Sequence, residues 1–498
     1  MSVLSLRGAT TTVMLLAVLS VTAVAQTSGN PAGKNSPGKN STRSTVSDKF
    51  QLPPAPIEQF TLDNGLRVIL SRDSSVPVVS VAVYYNVGSR DERQGRTGFA
   101  HLFEHMMYQG SENVGKGDYM KTVQNAGGTL NGNTTTERTA YFATLPANQL
   151  PLGLWLESDR MRSLKVTQEN LENQREVVKE EKRLRIDNQP YVPAFVRSSE
   201  MVFGNFANAH PAIGSMDDLN AANLQDVQEF FRIYYAPNNA VLSIAGDFDP
   251  KEARALVEKY FTSIPRQPTP PQVNVLEQPN VAKREEIIED QFARRPAFLL
   301  AWKIPARRTL DFYALQLAGS LLYDGDSSRL YQKLVKGEES VVQIQGGIDE
   351  RRGPSAFYFL VFPNSGQDGK AIRETVMNEI KRLATDGPTG EEMEKLHNSL
   401  RSDEARSRQS SLFRAQRIAE FALFDGDPNL FNTEFDRYSS VTPAQIKDAV
   451  ARFLVTDNHS LIEIVPAPPK AKSTVGAGVG PKPAPAAPAQ PTPTSTRP

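Results

Sequence analysis

His101-Leu102-Phe103-Glu104-His105 is the stretch of sequence that decides the fold, and it lies within a longer run from Arg96 to Met107. The spacing of apolar residues predicts a helix that begins at an N-cap on Thr97 and stops at Gly110. His101 and His105 are four residues apart, so on a helix their imidazole rings project from one face. Glu104 precedes His105 by one position, which brings its carboxylate beside that face.

These side chains are typical of a zinc site. Two imidazoles on one helical face can bind one Zn²⁺, and catalytic zinc sites usually take three protein ligands and leave one position open to water. Glu104 is placed to reach a water in that position. The order His-x-x-Glu-His is typical of inverzincins. A chance pairing is the alternative, since short motifs match by accident, although the chain has only five His in 498 residues.

The third ligand must be Asp, Glu or His, because the chain has no Cys. Residues 167–184 read as a helix capped at Thr167. At about 100° per residue, Glu181 falls on an apolar stripe with Val177, Val178 and Leu184. Glu172 and Glu176 fall on the opposite face. A carboxylate on a buried stripe is costly unless it is paired or coordinated. Glu181 is therefore the predicted ligand, and a buried salt bridge to Arg is the alternative.

The motif together with Glu181 in Gln-Arg-Glu-Val-Val-Lys-Glu-Glu resembles the pitrilysin family (insulinase, mitochondrial-processing-peptidase-like) of inverzincin zinc metallopeptidases. The resemblance covers about residues 50 to 465. It implies Zn²⁺ ligands at His101, His105 and Glu181 and a catalytic base at Glu104. Gln174 is a departure, because many members carry a second Glu there. Four further stretches match: residues 127–132, 139–141, 210–211 and 327–330.

The predicted fold class is α+β, with two homologous domains that each have an antiparallel-rich sheet with helices packed on it. Alternating Val79, Val81, Val83 and Tyr85 predict a half-buried strand. Registering Tyr108-Gln109-Gly110 on Tyr323-Asp324-Gly325 puts Gln316, Gly319 and Ser320 at the motif positions, so the second domain lacks the metal ligands. The predicted divisions are a signal peptide (1–25), a disordered linker (26–49), a catalytic zinc-binding peptidase domain (50–263), a Pro-rich linker (264–283), an inactive homologous domain (284–465) and a Pro/Ala-rich disordered tail (466–498).

The N-terminus predicts export, to the periplasm or as a bacterial-type secreted protein. Arg7, an apolar run at 13–19 and Ala23-Val24-Ala25 are typical of a cleaved secretory signal, so the mature chain should begin near Gln26 and carry no integral membrane segment. With 56 basic and 56 acidic residues and no basic motif, we expect no nucleic-acid partner. We expect the other three His, at 210, 397 and 459, to be surface or satisfied polar residues.

The function predicted from these features is zinc-dependent endopeptidase cleavage of extended peptides or unfolded protein segments. Asn131 and Gly132 are a candidate sheet edge on which a peptide could add as a strand, and the resemblance supports that role. The alternative is a non-catalytic binding, assembly or processing-complex subunit of the same fold.

The residues that would stabilise the transition state are not found at the positions that the resemblance implies. Many family members place an Arg and a Tyr from the second half over the peptide, but the corresponding positions here are Val335 and Val342. Two explanations remain open. Arg329 and Tyr331 could substitute, or a homologous partner subunit could supply the Arg and Tyr in a heterodimer.

Overall fold

The computed structural model describes residues 52–279 and 282–468. The predicted signal peptide, the 26–49 linker and nearly all of the predicted tail lie outside the described residues. No helix within the described ranges is both long enough and apolar enough to cross a membrane.

The first half of the chain folds as a six-stranded sheet with helices. Its turn at Asn64-Gly65 joins the first two strands, and Gly65 takes the left-handed conformation (φ 90°) that such a turn requires. The strands are β1 (Glu58–Thr61), β2 (Arg67–Arg72), β3 (Val78–Tyr85), β4 (Thr129–Thr134), β5 (Thr139–Pro146) and β6 (Ala240–Gly246). The helices are α1 (Phe99–Met106), α2 (Asp118–Asn125), α3 (Leu150–Ser163), α4 (Gln168–Lys182), α5 (Val192–Val202), α6 (Phe206–Ala209), α7 (Met216–Ala221), α8 (Leu224–Tyr234) and α9 (Pro250–Phe261).

The second half repeats this plan with five strands. They are β7 (Arg284–Asp290), β8 (Ala297–Ile304), β9 (Val341–Asp349), β10 (Ser355–Pro363) and β11 (Ser460–Pro466). The helices are α10 (Leu310–Leu322), α11 (Gly369–Asp386), α12 (Gly390–Ser407), α13 (Ser411–Asp425), α14 (Leu430–Ser439) and α15 (Pro443–Phe453). Described residues between α9 and β7 form neither helix nor strand, as a Pro-rich segment would.

The two sheets have matching topology. The strand orders are β1-β2-β6-β3-β5-β4 and β7-β11-β8-β10-β9. Each sheet has one parallel pair, β2 with β6 and β7 with β11, and its other pairs are antiparallel. The predicted α+β class with two homologous, antiparallel-rich halves is confirmed. β4 and β9 occupy equivalent edges, so each is hydrogen-bonded to a strand on one side only.

The prediction that β3 is half-buried is wrong, because both of its faces are covered. One face carries Val79, Val81, Val83 and Tyr85 into the core of the first half. The other face carries Ala82 and Tyr84, which pack against α13 of the second half. Strand alternation shows which residues share a face, but it cannot reveal a helix that arrives from more than 300 residues away in sequence.

Helix α5 makes the reciprocal contact. It precedes the Pro-rich segment, yet its residues Ala194 and Met201 pack on Leu299, Leu360 and Ile462 of the second sheet. Each sheet is therefore covered on one face by helices of its own half and on the other by a helix from the opposite half. This exchange joins the two halves and leaves a cleft between them.

Candidate metal centre

Helix α1 carries the motif, but it does not begin as predicted. Its N-cap is Gly98, in the left-handed conformation with φ 85°, and the Thr97 hydroxyl donates to Asp218 instead of capping. The Gly98 and Ala100 N–H groups donate to the two carboxylate oxygens of buried Glu92, at 2.8 and 2.7 Å. A tertiary carboxylate thus replaces the local cap. The helix ends at Met106, before the predicted stop at Gly110.

Buried Glu92 is also in contact with His210. The His210 Nε2 atom lies 3.1 Å from Glu92 Oε2, the oxygen that accepts from the Gly98 N–H, and His210 Nδ1 lies 2.7 Å from the Phe206 carbonyl. His210 is therefore a satisfied polar residue, as predicted. Burial opposes the charge on this His, but Glu92 outweighs it and raises the pKa of His210.

Three predicted residues converge on one point. The Glu181 Oε2 atom lies 3.1 Å from His105 Nε2 and 3.8 Å from His101 Nε2, and ligand atoms of all three residues lie within 4.8 Å of one another. Ligands about 2.0–2.2 Å from a tetrahedral zinc stand roughly 3.3 Å apart, so this donor set fits the ion. No other group of three such residues occurs in residues 52–279 and 282–468.

The protonation states of two of these residues also suit a metal. Burial lowers the pKa of His101 to about 4, so its imidazole is neutral at pH 7. Partial burial opposes the charge on Glu181, but the hydrogen bond with His105 and the nearby cationic groups outweigh it and bring the pKa of Glu181 to about 2. A metal requires neutral imidazole and ionised carboxylate.

Helix α4 supplies Glu181, on a narrower buried face than predicted. The Thr167 cap is confirmed, since its side chain accepts from the Asn170 N–H. Val177 and Leu184 are exposed, however, by 42% and 55%. The buried face instead runs through Leu171, Gln174 and Val178, and Glu181 continues it three residues beyond Val178. The predicted stripe was too wide, because the helix rests on its neighbours along only one row of residues.

The salt bridge considered as an alternative for Glu181 is present alongside the His contacts. Arg185 Nη1 lies 3.0 Å from Glu181 Oε1, and the Arg185 side chain is more than half exposed. The other carboxylate oxygen faces the two His residues. One oxygen is therefore held by Arg185, and the second remains available to an ion.

Glu104 lies beside this cluster and is held by a residue that the sequence did not indicate. The Thr134 hydroxyl on β4 donates to Glu104 Oε2 at 2.6 Å, and burial raises the pKa of Glu104. Gly132 gives the other oxygen room, because a Cβ there would lie only 3.3 Å from Oε1. Thr134 and Gly132 share one face of β4. That alternation was the only signal that could have pointed to Thr134.

The cluster opens into a cleft of about 1060 Å³ lined by both halves. Edge strand β4 forms one wall and carries Asn131 and Gly132, so both residues lie on a sheet edge as predicted. The Gly132 N–H donates to the Asn131 side chain at 2.9 Å, so this edge donor is satisfied locally. The second half contributes Gln316 and Glu350 to the cleft.

The structure does not bring Arg329 and Tyr331 to the metal cluster. Neither lies among the described residues that line the cleft. Arg329 donates to both Glu392 oxygens, at 2.7 and 2.8 Å, and to the Gly387 carbonyl, so its guanidinium is already engaged within the second half. Val335 packs in the second core and Val342 is 44% exposed. The described cleft therefore gives no support to a substitution by Arg329 and Tyr331, which stays a prediction.

Two sheets with packed helices and a cluster of two His and one Glu beside a sheet edge resemble a protease of known structure, and comparison with known families agrees. Residues 67–204 match the model for insulinase (peptidase family M16), and residues 221–400 match the peptidase M16 inactive domain. Together the two matches cover more than half of the chain. The chain belongs to peptidase family M16.

Individual proteins and solved structures are also similar to this chain. The zinc protease PqqE of Helicobacter pylori is 28% identical over 372 residues, which are 74% of this chain and 83% of that protein. The crystal structure of a protease from Helicobacter pylori has a TM-score of 0.79 at 26% identity, covering 83% of this chain and 100% of that one. The first half of the periplasmic protease PqqL from Escherichia coli shares the fold, with a TM-score of 0.69 at 19% identity over 84% of this chain and 93% of that one.

Proposed function

We propose that this chain is a zinc-dependent endopeptidase that hydrolyses extended peptides or unfolded protein segments. The observation that carries the proposal is the convergence of His101, His105 and Glu181 beside Glu104 in a cleft walled by a sheet edge. His101, His105 and Glu181 would hold Zn²⁺. When bound, the ion supplies Lewis acidity that polarises a carbonyl and lowers the pKa of water.

The protein's own groups perform the proton transfers. Glu104 accepts the proton of the attacking water and later delivers it to the leaving amine. The hydrogen bond from Thr134 keeps the Glu104 carboxylate turned toward the cleft. The peptide lies extended along β4, and its backbone pairs with the unpaired side of that strand when the Asn131 side chain moves off the Gly132 N–H.

The test of this function separates the base from the ligands. Glu104→Gln should retain zinc and the fold. It should lower the rate of peptide hydrolysis by about 10²–10⁴-fold, the usual contribution of a general base. His105→Ala should lose both zinc and activity. Metal content by atomic emission and cleavage of an unfolded peptide mixture are the measurements. A Glu104→Gln protein that cleaves at the wild-type rate would contradict the assignment.

A homologous partner subunit is the second part of the proposal. The second half offers Arg307 and Arg351 to the cleft, but Arg307 is held by Glu350 and Asp425, and Arg351 by Asp349. With Arg329 and Tyr331 also remote, the source of a free Arg and Tyr is best sought in a second chain. Removing one oxyanion donor typically costs about 10²–10³ in rate.

The partner can be tested with the purified protein. The chain alone should bind one zinc and cleave peptides slowly, and adding a homologous chain that lacks the zinc motif should raise the rate by about 10² or more. Full activity from the homogeneous chain would favour the alternative that it works alone. Zinc binding without activity under every condition would favour the non-catalytic subunit.

We also propose that the mature chain is exported to the periplasm or secreted. The support is the signal pattern at residues 1–25 and the periplasmic location in the name of the Escherichia coli fold relative. Mass spectrometry of the exported protein should show a start near Gln26, and a retained Met1 would contradict the proposal.

A further inference from the structure

A second cavity adjoins the cleft, and the proposed mechanism makes no use of it. It has a volume of about 230 Å³ and lies where α5 crosses the second sheet. Val196, Ser199, Pro211 and Asp349 line both this cavity and the cleft, so the two spaces are adjacent. We call this cavity the α5 pocket.

The walls of the α5 pocket are apolar. They are formed on one side by α5 and the turn before it and on the other by strands β8 and β10, including Tyr191, Phe195, Val202, Ala356, Leu360 and Phe362. The one acidic group at its mouth, Asp349, accepts a hydrogen bond from Arg351 Nε at 3.0 Å. No acidic charge is therefore left free there to attract a cationic side chain.

The size of the α5 pocket indicates what it can hold. Sites for separate drug-sized ligands occupy about 300–1,000 Å³, so this cavity is too small for most of them. It is large enough for one bulky apolar side chain. Phe195 meets Tyr358 edge-on, with ring centroids 5.4 Å apart, which leaves an aromatic wall suited to another ring.

The path from the metal centre to the α5 pocket is a continuous wall. Glu181, Arg185, Ile186 and Gln189 line the cleft in succession, and the next residue, Pro190, lines the pocket. The mostly helical backbone from Glu181 to Pro190 advances about 13 Å. An extended peptide covers that distance in roughly four residues.

We propose that the α5 pocket is a specificity site that takes an aromatic or large aliphatic side chain of the bound peptide, three to five residues from the cleaved bond. This inference rests on the proposed peptidase function and adds a substrate class to it. Peptides with a Phe, Tyr or Leu at that distance should be preferred over peptides with Ser or Asp there.

The experiment begins with the wild-type protein, with its partner if one is required, acting on a mixture of unfolded peptides. Mass spectrometry of the products should show apolar enrichment at one position three to five residues from the cut. In a matched pair of peptides, Phe should exceed Ser at that position by about tenfold to a hundredfold in kcat/KM, the range expected for burying one such side chain. Absence of any apolar preference in that window would overturn the inference.

Variants on α5 then assign the preference to the pocket. Ser199→Phe should block the mouth and bring the Phe-to-Ser ratio close to one. Glu200→Phe is the matched control, because its exposed position lines neither cavity. Its ratio should stay as in the wild type. A Ser199→Phe protein with an unchanged ratio would overturn the inference.

An enlarging variant covers the case in which Ser199→Phe does not fold. Phe195→Ala should shift the preferred residue from Phe toward Trp, and an unchanged preference would count against the pocket. If no peptide is cleaved at all, the proposed function fails separately. In that case, binding of the peptide mixture to the immobilised protein tests the pocket. The bound peptides should be enriched in apolar residues with the wild-type protein and with Glu200→Phe. That enrichment should be lost with Ser199→Phe or changed with Phe195→Ala.

Discussion

At the scale of single residues, Glu181 and Glu176 make a matched test of the metal site, because both are on helix α4. Glu181 faces His101 and His105, whereas Glu176 lies in solvent and contacts Lys179 at 2.9 Å. Glu181→Ala should weaken zinc binding by at least about 10–100-fold, since changes to groups behind the ligands already cost that much. Glu176→Ala should leave the affinity unchanged.

Competition with a zinc chelator of known affinity gives the zinc dissociation constants of both variants on the same scale. The Glu104→Gln protein belongs in the same series, because it removes a neighbouring carboxylate without removing a ligand. Equal losses in Glu181→Ala and Glu176→Ala would contradict the ligand assignment.

The three proposed metal ligands were readable from the sequence because their positions follow helical spacings. His101 and His105 follow directly from a four-residue interval, and Glu181 follows from its place relative to Val178. Thr134 was not readable in this way, because its bond to Glu104 depends on β4 lying against α1. The place of Arg329 was not readable for the same reason, since its pairing with Glu392 is tertiary.

At the scale of the element, the start of α1 shows how a tertiary contact can override a local signal. Thr97 is a favoured capping residue by type, yet buried Glu92 takes the first N–H groups of the helix. Glu92→Gln keeps the shape but offers only one acceptor oxygen and no charge to His210. It should lower the free energy of unfolding by about 3 kcal/mol.

Asp218→Asn is the control for Glu92→Gln, because Asp218 binds Thr97 in the same turn from a more exposed position. Its cost should be about 1 kcal/mol. Denaturant unfolding of the three proteins measures both changes. Glu92→Gln should also weaken zinc binding, since the helix carries two of the three proposed ligands. Equal stabilities for the two variants would contradict the capping role.

At the scale of the whole molecule, the exchange of α5 and α13 determines how the two halves depend on each other. The sequence pattern predicted the repeat, but it could not show that each sheet packs against a helix from the other half. Polar contacts add to the exchange: Arg351 Nη1 donates to the Asn208 carbonyl at 2.6 Å, and the Arg352 N–H donates to Glu137 at 2.9 Å.

This exchange predicts that the first half cannot fold alone. A fragment of residues 52–263 lacks α13, whose Ile418, Phe421 and Leu423 are buried against the first sheet. Each such side chain contributes about 1.5–3 kcal/mol. Three of them are therefore comparable to the total stability of about 5–15 kcal/mol of a typical domain. The fragment would also expose the sheet face around Ile69 and Tyr84.

The isolated fragment 52–263 should therefore bind a hydrophobic dye, unfold without a cooperative transition and bind zinc weakly. Co-expression with residues 282–468 should restore a soluble complex that binds zinc, because α13 then returns to the first sheet and α5 to the second. A single chain of residues 52–468 is the control. If the fragment alone unfolded cooperatively and bound zinc as tightly as that control, the exchanged helices would not be what stabilises the first sheet, and the fold of the metal centre would depend on the first half only.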